Sequence, residues 1–219
     1  MNDLRVKFEK TGRAAYISHL DLMRTFQRVF IRSGIALKHS EGFNPHPRIS
    51  VILPLPLGCR GFGEFMDIET KSVVEPTALI AGINEFMPEG IRALDAAHPV
   101  MKPGQIKYAR WVIELLYDET GARNHAERIK ELFSKESLLI SRKTKRGVSE
   151  FDLKPYTENL AVSAEDRNIC IKGILSAQEP SVSPALVMNA IRKYLPDCAA
   201  FTGVCSRISL YDGAMSDFY

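Results

Sequence analysis

The chain has 219 residues, 45% hydrophobic, 25% charged and 9% aromatic, with a net charge of +3. That is room for one large domain or two of about a hundred residues, with the balance of a folded globular protein, not a disordered, collagen-like or low-complexity one. The charge is uneven, since residues 1–60 hold ten Lys/Arg against four Asp/Glu and the remainder is net negative, a bias compatible with a phosphate-bearing partner.

No apolar run approaches the roughly 18 residues of a membrane span, and the first ten residues alternate charged and apolar side chains, unlike a secretory signal. Cys59, Cys170, Cys198 and Cys205 form neither a CxxC pair nor a disulfide framework. The expectation is a cytoplasmic protein with reduced thiols and no membrane partner. Without a Cx3Cx2C run the chain is expected to hold no iron–sulfur cluster, and no cofactor, of its own.

Leu4, Val6 and Phe8 alternate with charged residues, which predicts a strand over 3–10, extended by Ala14–Ile17 past a bend at Gly12. Ser18 is a natural N-cap with Asp21 at capping-box spacing, and Leu22, Phe26, Val29 and Phe30 make the apolar face of a helix over 18–33, ended by Ser33-Gly34. Gly42, Asn44, Pro45 and Pro47 mark a loop over 35–47. Strands over 49–53 and 62–68, a helix over 76–87 entered at Pro76, and a strand over 90–97 follow. The order strand, helix, strand, strand, helix, strand predicts a ferredoxin-like domain over 1–99, with a linker ending at Gly104.

The second half repeats that order more loosely: strand 108–117, helix 124–135, a strand from 138, an added hairpin over 149–163, strand 169–175, helix 183–195 and strand 204–211. The expected fold class is therefore α+β, with two tandem ferredoxin-like (βαββαβ) domains and antiparallel sheets, the second over 105–219 with an inserted hairpin.

Four segments can carry chemistry. Arg24, Arg28 and Arg32 recur every four residues and form one helical stripe able to meet successive phosphates, with His19 and Asp21 at the helix's positive end; a solvated face explains the same stripe. The loop His39-Ser-Glu-Gly-Phe-Asn-Pro-His-Pro-Arg48 offers His39, Phe43, Asn44, His46 and Arg48 as ligand contacts, unless Phe43 plugs the core. Its histidines and His19 lack metal-ligand spacing. Arg60-Gly-Phe-Gly63 matches the start of the RNA-recognition-motif signature, but Glu64 stands where a base-stacking aromatic belongs. Arg142, Lys143, Lys145 and Arg146 gather four cations at a hairpin tip. No GxSxG, P-loop, HExxH or Rossmann fingerprint is present, so no catalytic residue is assigned beyond His19 or His46 as candidate acid/base groups.

The stretches Tyr16-Ile-Ser-His-Leu-Asp-Leu-Met-Arg24, Ser40-Glu-Gly-Phe-Asn-Pro-His-Pro-Arg-Ile-Ser50, Pro54-Leu-Pro-Leu-Gly58 with Glu64-Phe65, and Arg146–Tyr156 resemble a bacterial family of radical-SAM-linked proteins. Its members are uncharacterised and stand alone or fused after a radical SAM domain. The resemblance implies a partner that carries the iron–sulfur cluster and S-adenosylmethionine. The expected architecture is also similar to that of CRISPR RNA-processing endonucleases. The resulting expectation is an accessory RNA-binding module, with tRNA among its candidate ligands, serving a radical SAM partner in RNA modification and more an adaptor than an enzyme. The alternatives are a metal-independent ribonuclease using His19 or His46, and a protein-interaction scaffold.

Overall fold

A computed structural model describes residues 3–117, 121–144, 147–198, 200 and 202–219. Among them are four α-helices, eight sheet strands and a separate two-stranded hairpin, which makes the chain α+β. It divides into two units, Met1–Ile106 with Ser216–Tyr219, and Lys107–Met215.

The first unit runs β1 (Asp3–Lys10), α1 (His19–Arg32), β2 (Ile49–Ile52), β3 (Arg60–Glu69), α2 (Pro76–Asn84) and β4 (Ile91–Ala97). β3 pairs antiparallel with both β1 and β2, and β1 with β4, giving the order β4-β1-β3-β2. Side chains alternate along a strand, so Leu4, Val6 and Phe8 share one face of β1. Opposite them in register on β3 stand Ile68, Met66 and Glu64. This face takes Leu22, Phe26, Val29 and Phe30 of α1 and Leu79 and Ile83 of α2 into one core, with Phe8 and Phe26 edge to face at 5.1 Å. Each such side chain contributes about 1.5–3 kcal/mol through burial. The start of α1 is capped as its sequence predicts: the Asp21 amide donates to Ser18 Oγ at 3.1 Å. The end of α2 is tied to β4 by Asn84, whose side-chain amide exchanges two 2.9 Å hydrogen bonds with the backbone of Ala93.

The other face of this sheet is covered too, by residues far along the chain. Arg5, only 1% exposed, donates from Nε and Nη2 to the two carboxylate oxygens of Asp67 (2.7 and 2.9 Å) and from Nη1 to the Met101 carbonyl (2.8 Å). The ring of Phe218 lies 4.6 Å from its guanidinium carbon and meets Phe65 edge to face at 5.4 Å. Tyr219 also packs on Phe65, donates from its hydroxyl to Asp95 Oδ2 at 3.1 Å, and accepts from the Met101 amide through its carbonyl. A boundary placing all of 105–219 in a second domain misses this return. The cause is physical: Phe65 and Arg5 need an apolar cover that nothing nearby in sequence supplies.

The second unit contains β5 (Tyr108–Leu116), α3 (Ala122–Phe133), β6 (Leu139–Thr144), β7 (Gly147–Asp152), β8 (Ala161–Glu165), β9 (Asn168–Ser176), α4 (Pro184–Tyr194) and β10 (Thr202–Tyr211). Its sheet is antiparallel in the order β10-β5-β9-β8. The strand expected from 138 does not enter that sheet. It pairs with β7 as the separate hairpin, and β8, expected inside a hairpin over 149–163, becomes the sheet edge. A two-residue turn at Asp166-Arg167, with Asp166 at φ +43°, folds β8 back onto β9, whereas the hairpin's base is held by Asp152 Oδ1 accepting from the amides of Leu138 and Lys154. Among the described residues, no helix is long and apolar enough to cross a membrane.

Replacing a buried Phe with Ala costs about 3–5 kcal/mol. Phe218→Ala is therefore expected to lower the denaturation midpoint of the first unit and to speed amide exchange in β1 and β3, more than in β5 and β9. Equal protection in variant and parent would contradict the packing of this segment.

Candidate functional site

Between α1 and β2 the chain forms an arm rooted on one residue. The Lys38 amide donates to the Glu69 carbonyl (2.8 Å), the Glu69 amide donates to the Arg48 carbonyl (3.1 Å), and the Arg48 amide donates to the Lys38 carbonyl (2.8 Å). Further out, the Ser40 amide donates to the His46 carbonyl (2.8 Å) and the His46 amide to Ser40 Oγ (3.0 Å). The Glu69 carboxylate takes the Arg48 guanidinium at 2.8 Å and the Lys38 ammonium at 3.7 Å. The hydrogen bond from Arg48, with Lys38 adding to it, holds the Glu69 carboxyl below the usual Glu range. At the tip Gly42 has φ +121°, a conformation that favours glycine, and beside it the ring of Phe43 stands fully in solvent at 112% relative exposure. Phe43 therefore does not plug the core. Asn44 is exposed beside it.

At the root of the arm a groove of about 480 Å³ is lined by Asp3, His46, Arg48, Ser50, Asp67 and Glu69, with Ser40 and Pro47 at its arm side. A second, more apolar cavity of about 280 Å³, lined by Phe30, Ile31, Ile35, Leu37 and His39, shares only Pro47 with it. His39 and His46 thus line different cavities.

His19 lines neither. It stands in a narrow crevice with Lys10, Glu64, Leu22 and Leu55, so the structure does not gather His19 and His46 into one pocket. The Asp21 carboxylate accepts from Ser18 Oγ at 2.7 Å and from Arg24 Nη1 at 3.1 Å; the hydrogen bonds from Ser18 and then Arg24 push its carboxyl below the usual Asp range. Arg32 lies over the Phe86 ring at 5.0 Å. Arg28 is exposed and has no ion-pair partner among the described residues. Of the three-arginine stripe, then, Arg28 is uncommitted, Arg24 rests on an exposed carboxylate, and Arg32 is held on an aromatic ring.

Lys10 is singled out by no motif and Glu64 only as a mismatch and as part of a family stretch, yet both are buried in this unit. Lys10, 3% exposed, donates from Nζ to the carbonyls of Ala15 (3.3 Å) and Ile17 (3.1 Å). Burial pushes its pKa below the usual Lys value, and charge on Glu64 acts the other way. Glu64, with Leu55, also explains Gly61, three residues earlier: a Cβ there would lie 2.4 Å from Glu64 Cγ. Gly61 accordingly makes room for a buried carboxylate, and Arg60, at the start of β3, is half-buried. On the sheet's other face, the surface on which an RNA recognition motif stacks bases is occupied by Phe218 and Tyr219.

In the second unit Arg142 packs on the Phe151 ring at 5.2 Å and Lys143 lies in β6; Lys145 and Arg146 fall outside the described residues. No group of three His, Cys, Asp or Glu side chains is placed to hold a metal among the described residues. The model of a family described as uncharacterized proteins conserved in bacteria, DUF2344, matches residues 3–184. No curated protein matches the chain.

The depressed pKa of Glu69 has a pH signature. Its ionised form contributes fully above the ordinary value of 4.5, and the contribution is lost as pH falls through the lower folded value. Amide protection of Ser40 and Arg48 should be flat from pH 5 to 8 and fall on further acidification, and Glu69→Gln should show the acid-form loss at pH 7. Protection that persists in Glu69→Gln would contradict this rooting.

Proposed function

We propose that this chain, which belongs to the DUF2344 family, is a pair of ferredoxin-like domains whose first domain binds RNA through the arm at 38–48. The domain reading is supported by the strand orders β4-β1-β3-β2 and β10-β5-β9-β8, each the outcome of a βαββαβ order in which every helix joins two parallel strands across an antiparallel one, with the β6–β7 hairpin inserted in the second. The RNA reading rests chiefly on Phe43. A fully exposed aromatic at the tip of an arm held by six backbone and side-chain hydrogen bonds has no packing role, and a ring so presented offers a nucleobase a stacking partner. Asn44 beside it adds hydrogen-bonding capacity, and exposed Arg24 and Arg28 on α1 supply positive charge for phosphates.

The module works for a radical SAM partner that supplies the iron–sulfur cluster and S-adenosylmethionine, as the family resemblance implies, and presents RNA to it. A second reading, metal-independent RNA cleavage with His19 as general acid or base, draws on the crevice His19 shares with Lys10 and Glu64. It requires RNA cleavage in the presence of EDTA that His19→Ala abolishes.

Base–aromatic stacking is worth about 1–3 kcal/mol. Phe43→Ala should therefore weaken single-stranded RNA binding by about 5- to 150-fold while leaving the thermal midpoint in place. Arg24→Glu with Arg28→Glu should flatten the log–log salt dependence by about 0.7 for each phosphate no longer neutralised. Affinity within twofold of the parent in both variants, or no RNA binding at low salt, would leave a protein-interaction scaffold as the better account.

A further inference from the structure

We propose that the arm and the apolar cavity beside its base form a reciprocal contact between two copies of this chain, with Phe43 of each copy seated in the cavity of the other. This contact goes beyond the RNA reading and stands without it. The chain presents two uncovered apolar features at once. Phe43 projects fully into solvent from the arm's tip, and the cavity of about 280 Å³ is walled by Phe30, Ile35 and Leu37, with Ile31 at its rim 79% exposed. Apolar surface in contact with water is unfavourable, and one contact covers both features.

Size and polarity both favour a side chain as the occupant. The cavity falls just short of the roughly 300 Å³ at which sites for drug-sized ligands begin, so it suits a single ring. A nucleobase or metabolite brings polar edges that a buried site must match with donors and acceptors, whereas a phenyl ring brings none. These walls offer little to match with: His39 is turned to its own backbone, Nδ1 lying 3.2 Å from the Leu37 carbonyl. The chain itself supplies an exposed phenyl ring.

The ring does not reach the cavity of its own chain. Hydrogen bonds between Lys38 and Arg48 and between Ser40 and His46 hold the tip outward, while His39 and Pro47, bridged across the arm, form part of the cavity wall. Ring and cavity therefore sit at opposite ends of one hydrogen-bonded arm. That is what an isologous pair requires, because a two-fold axis between two antiparallel arms takes each ring to the other copy's cavity. Charge agrees with this placement: Glu41 is exposed two residues before Phe43, and Lys71 lines the cavity. Since the same ring serves RNA stacking in the reading above, the pair is the RNA-free form, and RNA competes with the second copy for Phe43.

The test is sedimentation velocity on the full chain from about 5 to 500 μM, the range in which a small interface dissociates. The parent should pass from monomer to dimer within it. Phe43→Ala and Ile31→Asp, both at exposed positions, should each keep the parent's thermal midpoint and weaken dimerisation at least about 30-fold, the effect of a hot-spot side chain. Mixed together, the two variants should associate more strongly than either does alone, since Ile31→Asp supplies a ring and Phe43→Ala an intact cavity. A parent monomeric throughout, a dimer that survives both substitutions, or a mixture no stronger than its components would overturn the proposal. The single-stranded octamer U8 separates this contact from the RNA reading, and should return the parent to monomer. A dimer that needs Phe43 yet stays paired with U8 bound would uphold the contact and overturn stacking on Phe43. A monomeric parent whose U8 affinity falls in Phe43→Ala would do the reverse.

Discussion

One face of β3 organises the first unit, and the buried Arg5–Asp67 pair is the contact on which the rest of that face depends. Phe65, Asp67 and Glu69 lie on it at alternate positions. A guanidinium with 1% exposure is tolerable only when its donors are met, and here Asp67 takes two and the Met101 carbonyl a third, with the Phe218 ring over its plane. That arrangement fixes the segment after β4 and residues 216–219 against the sheet. It also turns Asp67 toward the groove with its charge already balanced from behind.

The consequences run outward along the strand. Phe65 is closed over by Phe218 and Tyr219, so the sheet surface available to nucleic acid in an RNA recognition motif is shut here. Glu69, at the far end, gives its amide, its carbonyl and its carboxylate to the arm. The exposed aromatic and polar side chains of this unit are thereby carried on a loop held at the sheet's end rather than on the sheet surface. On the helix-covered face Lys10 does comparable work: its ammonium holds the Ala15 and Ile17 carbonyls and so sets the turn from which Ser18 caps α1.

Much of this fold is legible locally. The alternation of Leu4, Val6 and Phe8 gives β1, and Ser18 with Asp21 gives the start of α1, because strand period and capping act over a few residues. The buried charges are not. Lys10 continues the inward register of β1, but a lysine there reads as the strand's wet end, and only the carbonyls of the following turn make its burial bearable. Arg5 sits on what reads as the solvent face, and its cover comes from the far end of the chain. The exchange of roles between β6 and β8 turns on Asp166 adopting a left-handed conformation in a turn without the Asn-Gly or Asp-Gly signature.

The candidate site was legible as a composition and not as a geometry. A loop with two histidines, an asparagine, an arginine and a phenylalanine suggests binding, but whether Phe43 faces inward or outward depends on how Glu69 roots the arm. Ultraviolet crosslinking of single-stranded RNA to the full chain, followed by peptide mapping, tests the central claim most directly. The account predicts nucleotide adducts on the peptide that spans residues 39–48, with Phe43 the principal site. Adducts confined to peptides carrying Phe65 and Phe218, or to the 139–152 hairpin, would contradict it.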